Sequence, residues 1–171
     1  ELLISDIKYI LGHNPLLPAY GYFQGHLPNQ ESEAWLQMER GQLEIGYKGD
    51  AFCFDNELNP HTVFLEEYAI RNTLVNNREY IEFIEARGYE KFDLWHSEGW
   101  DWVQKNQVSS PLYWHKINGK WHHYTLEGLQ EVDLKAPVCH ISYFEAFAFA
   151  QWKGCRLPTE FEWEVASQHF N

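Results

Sequence analysis

The 171-residue chain is short of several things, and the first is positive charge. Lysine and arginine number 13 against 25 acidic residues, a formal net charge of −12 with histidine neutral. A phosphate backbone repels such a chain unless a local basic patch forms. No lysine- or arginine-rich stretch supplies one, so no nucleic-acid partner is expected. No apolar run approaches the ~20 residues needed to span a bilayer, and no signal-peptide pattern opens the sequence, so no membrane role is expected either. Cysteine is scarce: Cys53, Cys139 and Cys155 are odd in number, far apart, and form no CxxC or CxxxH pair. That usage points to free thiols in a reducing, cytoplasmic setting and away from a disulfide framework or a structural zinc. Methionine occurs once, at Met38, and the first residue is Glu1.

What is present is globular. Hydrophobic residues make up 44% and charged residues 22%, and aromatics are in excess at 17%. A chain of this length buries roughly 70% of the surface exposed on unfolding, which is enough for a proper core. No repeat of 20–50 residues is visible, so a propeller or solenoid is disfavoured.

Residues 1–11, ELLISDIKYIL, place Leu3, Ile7, Ile10 and Leu11 on one stripe and predict a helix that stops at Gly12 and Asn14-Pro15. Nothing caps its start, which suggests a helix entered part-way. Residues 12–34 read as a linker punctuated by Pro15, Pro18, Gly21, Gly25 and Pro28. Short strands are expected at 43–46, 51–54, 62–65 and 68–70, with Asn56, Asn59 and Pro60 supplying a turn. Three later helices are announced by one device, a short polar residue with Glu three positions on. These pairs are Asn76 with Glu79, Ser142 with Glu145, and Thr159 with Glu162. Tyr80, Ile81, Phe83 and Ile84 would form the apolar face of the first, and Phe144, Phe147, Ala148 and Trp152 that of the second. About fifty residues between those two read as irregular and Trp-rich, with Trp95, Trp100, Trp102, Trp114 and Trp121. The expectation is an irregular α+β domain.

Motifs for chemistry are thin. His96-Ser97-Glu98 has the H-x-E form that opens a 2-His-1-carboxylate iron site, but three residues in a Gly- and Trp-rich loop are weak support. His122 and His123 fall in an expected strand, where neighbours face opposite ways and cannot share a metal. His61 and His140 read as strand-end histidines. Cys139-His140 is a neighbour pair and not a triad, and Cys53 reads as a small core residue in an apolar strand. Glu66-Glu67 and Glu160/Glu162/Glu164 are explained by caps and solvated faces. The glycines form neither a GxGxxG nor a P-loop. The Trp-rich loops are the best functional feature. Flat aromatic surfaces hold sugars or quaternary ammonium groups, although a loop-rich domain also needs large anchors.

At Trp152-Lys153-Gly154-Cys155-Arg156-Leu157-Pro158-Thr159-Glu160-Phe161-Glu162-Trp163-Glu164 the chain resembles the W-x-G-x-R-L-P-T-E-x-E-W-E signature of the formylglycine-generating-enzyme, or sulfatase-modifying-factor, superfamily. Ala136 to Ala146 is similar to the segment preceding that signature, and Phe54-Asp55-Asn56-Glu57, Pro60-His61 and Val75-Asn76 follow the family's opening, with Asn76 where the family has Thr. Leu94 to Trp100, Pro111 to Trp114, and the opening Glu1 to Lys8 with Asn14-Pro15 and Pro18-Ala19-Tyr20 resemble the ergothioneine-type sulfoxide synthases.

The resemblance implies a C-type-lectin-like α+β fold over residues 35–171, preceded by the end of a DinB-like helical bundle at 1–11 and a linker at 12–34. It implies a parent enzyme that uses Fe(II) and O₂ to form a C–S bond and a sulfoxide between a thiol donor and trimethylated histidine. The family's iron histidines belong to the bundle, in an H-x-x-x-H-x-E-L-L segment whose Glu corresponds to Glu1, and its catalytic Tyr follows the position of Asn171. The resemblance therefore assigns no catalytic, cofactor-binding or metal residue here, and His96 sits where the family places no ligand. No iron and no turnover are expected of these 171 residues alone. The alternatives are a non-catalytic lectin-like binding module, or a relative making selenoneine or formylglycine.

Overall fold

The computed structural model describes residues 2–22 and 32–169, so the part of the expected linker at 23–31 lies outside the described residues. In chain order the elements are helix α1 (Leu2–Gly12), strands β1 (Trp35–Met38), β2 (Gly41–Ile45), β3 (His61–Leu65) and β4 (Tyr68–Arg71), and helices α2 (Asn77–Glu85) and α3 (Ser97–Asn106). Strands β5 (Trp114–Ile117), β6 (Lys120–Thr125) and β7 (Gly128–Glu131) follow, then helices α4 (Tyr143–Trp152) and α5 (Glu160–His169). This mixture of helices and small antiparallel sheets agrees with the expected α+β class. The chain forms two compact units: Glu1–Asn29 with Leu74–Arg156, and Gln30–Thr73 with Leu157–Asn171.

All three predicted capping boxes form. Glu79 N donates to Asn76 Oδ1 at 3.0 Å while Asn76 N donates to Glu79 Oε2 at 3.0 Å, so the Asn variant closes as fully as the others. Ser142 and Glu145 repeat the exchange at 2.7 and 3.2 Å, and Thr159 and Glu162 at 2.8 and 3.2 Å. Each box satisfies amide donors that the first helical turn leaves orphaned, at a typical value of about 1 kcal/mol per cap. Helix α4 ends at Gly154, whose φ of +71° suits a residue without Cβ, and Cys155 N donates back to Ala150 O at 2.9 Å.

The first unit is organised by aromatic side chains. Tyr80 and Phe83 of α2 are fully buried with Tyr89, Trp95, Val103, Ala148 and Phe149. Tyr80 stacks on Phe149 at 5.4 Å between centroids, and Phe83 meets Phe149 edge-on at 5.8 Å. Such pairs add about 0.5–1.5 kcal/mol beyond the area they bury. Their polar tips are partnered: Trp95 Nε1 donates to Gly88 O at 2.9 Å, and the Tyr80 and Tyr89 hydroxyls are 3.1 Å apart. Gly88 is required by close approach, because a Cβ there would stand 2.1 Å from the Phe83 ring. The expected face of α4 was too narrow. Phe149, Ala150 and Glu145 are buried with Ala148, whereas Phe144, Phe147 and Trp152 are half-buried.

The stretch between α2 and α4 is not irregular, as expected, but holds α3 and the β5–β6–β7 sheet. Helix α3 has no capping side chain at His96 to announce it, and Gly99 dilutes its pattern. The β5–β6 hairpin turns at Asn118 and Gly119, both at positive φ, the residues that a two-residue hairpin turn demands. His122 and His123 lie in β6, as expected.

In the second unit β1 pairs with β4 and β2 with β3, both antiparallel. Met38, Ile45, Leu65 and Tyr68 pack with Val165 of α5. Tyr68 Oη donates to Glu162 O at 2.7 Å, and Glu164 Oε1 accepts from Gly46 N at 2.6 Å. The strand expected at 51–54 does not form. Phe54 N donates to Glu57 Oε2 at 3.1 Å, withdrawing the amide a ladder would need, and the chain bends into a 3-10 turn at Asp55–Glu57. Phe52 and Phe54 are exposed and touch one another, and Cys53 is a half-buried loop residue rather than a core strand residue.

Candidate functional site

The first unit contains an open cavity of about 550 Å³, a size that suits a small molecule. Trp102 of α3, the 107–113 loop, and His140 to Ser142 with Glu145 line it. The two loops are tied together by Leu112 N donating to His140 O at 3.1 Å. Three lining residues hold left-handed backbone without being glycine: Gln107 at φ +53°, Tyr113 at +73° and His140 at +60°. Gln107 is the C-terminal cap of α3, where that conformation is common. Tyr113 and His140 have no such excuse, and a bulky residue there costs about 1–3 kcal/mol that the surroundings must offset.

His140 is therefore not the strand-end histidine expected from sequence. It sits in a bend, its ring edge-on to Tyr113 at 5.0 Å, with Lys8 Nζ of α1 donating to its Nε2 at 2.5 Å. The Lys8 ammonium also lies 5.2 Å from the centre of the Tyr113 ring. Burial, with Lys8 and His123 adding their charge, pushes His140 down to about 4, so the imidazole is neutral at pH 7. Burial also lowers His123, with Lys8 in support and Asp133 opposing. The Lys8 ammonium is itself held below the ordinary lysine range by burial, against the opposing pull of Cys139.

At the cavity's inner wall is a buried carboxylate. Glu145 Oε1 accepts from Tyr89 Oη at 2.5 Å, and Oε2 closes the α4 capping box. Burial, reinforced by this charge, pushes the Tyr80 and Tyr89 phenols up, so both stay protonated donors. The spacing from Ser142 predicts only the capping role of Glu145. Its second role depends on Tyr89, 56 residues away, which no local pattern could reveal.

The other residues singled out from sequence do not converge. The His96 ring stacks on Phe147 at 3.8 Å, and Glu98 is exposed in the first turn of α3. His61 starts β3 and meets Phe161 edge-on. Cys53, Cys139 and Cys155 form no disulfide. Among the described residues, no group of three or more His, Cys, Asp or Glu is placed to hold a metal ion. No helix of the described residues is long and apolar enough to cross a membrane. Trp95 and Trp114 are buried, and Trp100 and Trp102 pack on the aromatic core. These tryptophans anchor the unit, and Trp102 also lines the cavity.

Residues 24–169 match the FGE-sulfatase family, described as a sulfatase-modifying factor enzyme 1-like domain. The hercynine oxygenase of Mycobacterium tuberculosis is 37% identical over 127 residues, covering 72% of this chain and 29% of the relative. That of Mycolicibacterium smegmatis is also 37% identical, over 66% of this chain and 26% of its own length. The formylglycine-generating enzyme of Thermomonospora curvata is 30% identical over 82% of this chain and 50% of its own. The chain thus spans between a quarter and a third of the hercynine oxygenases it matches. With the signature at Trp152–Glu164 and its capping box in place, the chain belongs to the formylglycine-generating-enzyme superfamily, close to the ergothioneine-type enzymes.

Proposed function

We propose that this chain is part of an ergothioneine-type sulfoxide synthase, an oxidoreductase acting on the trimethylated histidine hercynine. The observation that carries this reading is the higher identity to hercynine oxygenases, 37%, than to the formylglycine-generating enzyme of T. curvata, 30%. In this reading the parent protein takes two small molecules, a thiol donor and hercynine, and uses O₂ to form a C–S bond and a sulfoxide. Iron would supply the oxygen chemistry. In this reading its ligands belong to other parts of the parent protein, and no step is assigned to the present residues. The part taken by the present residues is scaffolding: the capped helices α2 and α4 and the Glu145–Tyr89–Tyr80 network hold the first unit rigid. Helix α1 is read as the end of a DinB-like bundle, a reading supported by the exposure of Leu2, Leu3, Ile4 and Ile10.

The test uses the parent protein loaded anaerobically with Fe(II), then given hercynine, a thiol donor and O₂. Mass spectrometry should show the sulfoxide adduct, with oxygen from labelled O₂. Absence of the adduct with every thiol and selenol donor offered would overturn the reading. The alternative of a non-catalytic module is kept in view by similarity to the inactive C-alpha-formylglycine-generating enzyme 2 of Bos taurus, 27% identical over 91% of this chain. A protein that binds hercynine and never consumes it would favour that alternative.

A further inference from the structure

His122 and His123 cannot share a metal, because neighbours on β6 face opposite ways. The sheet gives His122 a different partner. In the β5–β6 register His115 lies directly opposite His122, and in the β6–β7 register Glu131 lies opposite it on the other side. Strand alternation puts these three on one face, in a row across the sheet, with Lys120 two residues along β6. Directly opposed residues stand about 4.5–5.5 Å apart at Cβ, and zinc bonds to imidazole and carboxylate are about 2 Å long, so one ion is within reach of all three. The row is open to solvent: His115 and Glu131 are exposed and His122 is half-buried. Lys116 is turned to the other face, its ammonium 5.2 Å from the centre of the Trp121 ring.

Two contacts bear on what the row can hold. His122 Nδ1 donates to Lys120 O at 3.3 Å, which in the neutral ring leaves the lone pair on Nε2. A backbone carbonyl on the second ring nitrogen is the usual support of a metal-ligating histidine. Lys120 Nζ donates to both Glu131 oxygens at 3.0 Å, and as they stand the three groups do not converge. That ion pair joins two exposed side chains and contributes little, so a divalent cation can displace the ammonium. We propose that His115, His122 and Glu131 bind a divalent transition metal, with Zn²⁺ the best fit and Lys120 the cation it displaces. Two imidazole nitrogens, one carboxylate oxygen and a water make the four-coordinate set that zinc takes, whereas Mg²⁺ and Ca²⁺ want oxygen throughout. The bound ion ties β5, β6 and β7 together.

Zn²⁺ and Mg²⁺ are titrated by calorimetry into the full chain at neutral pH, with NMR of the histidine rings to place the ion. One Zn²⁺ should bind with a Kd in the micromolar range, Mg²⁺ should not bind, and the His115 and His122 signals should shift together while that of His61 stays put. His115→Gln and His122→Gln should each weaken Zn²⁺ at least about tenfold, and Glu131→Gln severalfold. Lys120→Met should act in the opposite direction and tighten it severalfold, because the competing ammonium is gone. Circular dichroism of each variant checks that the fold is kept. No saturable binding at millimolar Zn²⁺ would overturn the proposal. So would binding left unchanged by either histidine substitution, as ions held by the exposed thiols of Cys139 and Cys155 would be. A Glu131→Gln variant that binds like the native chain, or a Lys120→Met variant that binds no more tightly, would also overturn it.

Discussion

The two units solve the same local problem with different surroundings. Helices α4 and α5 both start with a hydroxyl residue and a Glu that returns a bond to the cap, and both acids are buried, at 2% exposure for Glu145 and 7% for Glu162. In the first unit the carboxylate also accepts from Tyr89, which meets Tyr80, and stacked aromatic rings close over the group. In the second unit the residues around α5 are two-stranded ladders, and Phe52, Phe54, Phe64 and Trp163 of that unit are left exposed. A capping motif therefore fixes where a helix starts. How firmly the helix is held is decided by what packs over the cap.

The comparison breaks most visibly at the centre of the first unit. Phe83→Ala deletes a fully buried ring touching Tyr80, Tyr89, Phe149 and Trp152, and should cost about 3–5 kcal/mol in denaturant unfolding followed by near-UV circular dichroism. The next largest effect is at the shared acid. Glu145→Gln leaves one acceptor oxygen for two donors, the Ser142 amide and the Tyr89 hydroxyl, and should cost about 1–3 kcal/mol by the same measurement. No loss would show that the Tyr89 bond adds nothing to the cap.

A smaller effect follows from His140. Its folded pKa of about 4 lies below the ordinary histidine value, so between the two the unfolded chain binds more protons than the folded one. Stability of the first unit should be fully present above about pH 6.5 and should fall as the pH drops toward 4. The groups facing His140 are Lys8, Tyr113, His123 and Cys139, and of these His123 is also lowered and adds to the same slope. A His140→Asn variant keeps a residue that tolerates left-handed backbone, and it should flatten the decline measured by urea midpoints across that range. The smallest effect is at the surface. Lys120→Met removes two 3.0 Å contacts to Glu131 between well-exposed side chains and should change stability by less than about 0.5 kcal/mol.

How much of this was legible beforehand depends on whether the cause was local. The capping boxes were, because donor and acceptor lie three residues apart. So was the family, because Trp152–Glu164 is one contiguous signature. Helix α3 and the β5–β7 sheet were not. Helix α3 has no capping side chain, and the apolar residues that bury it lie elsewhere in the chain. The strand predicted at 51–54 failed on a single competing bond, Glu57 to the Phe54 amide, that alternation does not encode. The setting of His140 is not legible from its own segment, because it comes from Lys8, 132 residues away, and from a left-handed backbone that nothing in Cys139-His140-Ile141 announces.

The central claim, that this scaffold serves sulfur–carbon bond formation on hercynine, is tested most directly by a competition. The iron-loaded parent protein is offered hercynine with a thiol donor and, in parallel, a sulfatase-derived peptide carrying the cysteine that formylglycine-generating enzymes convert. Mass spectrometry should find a sulfoxide of hercynine and an unchanged peptide. A peptide converted to formylglycine, with hercynine untouched, would contradict the account.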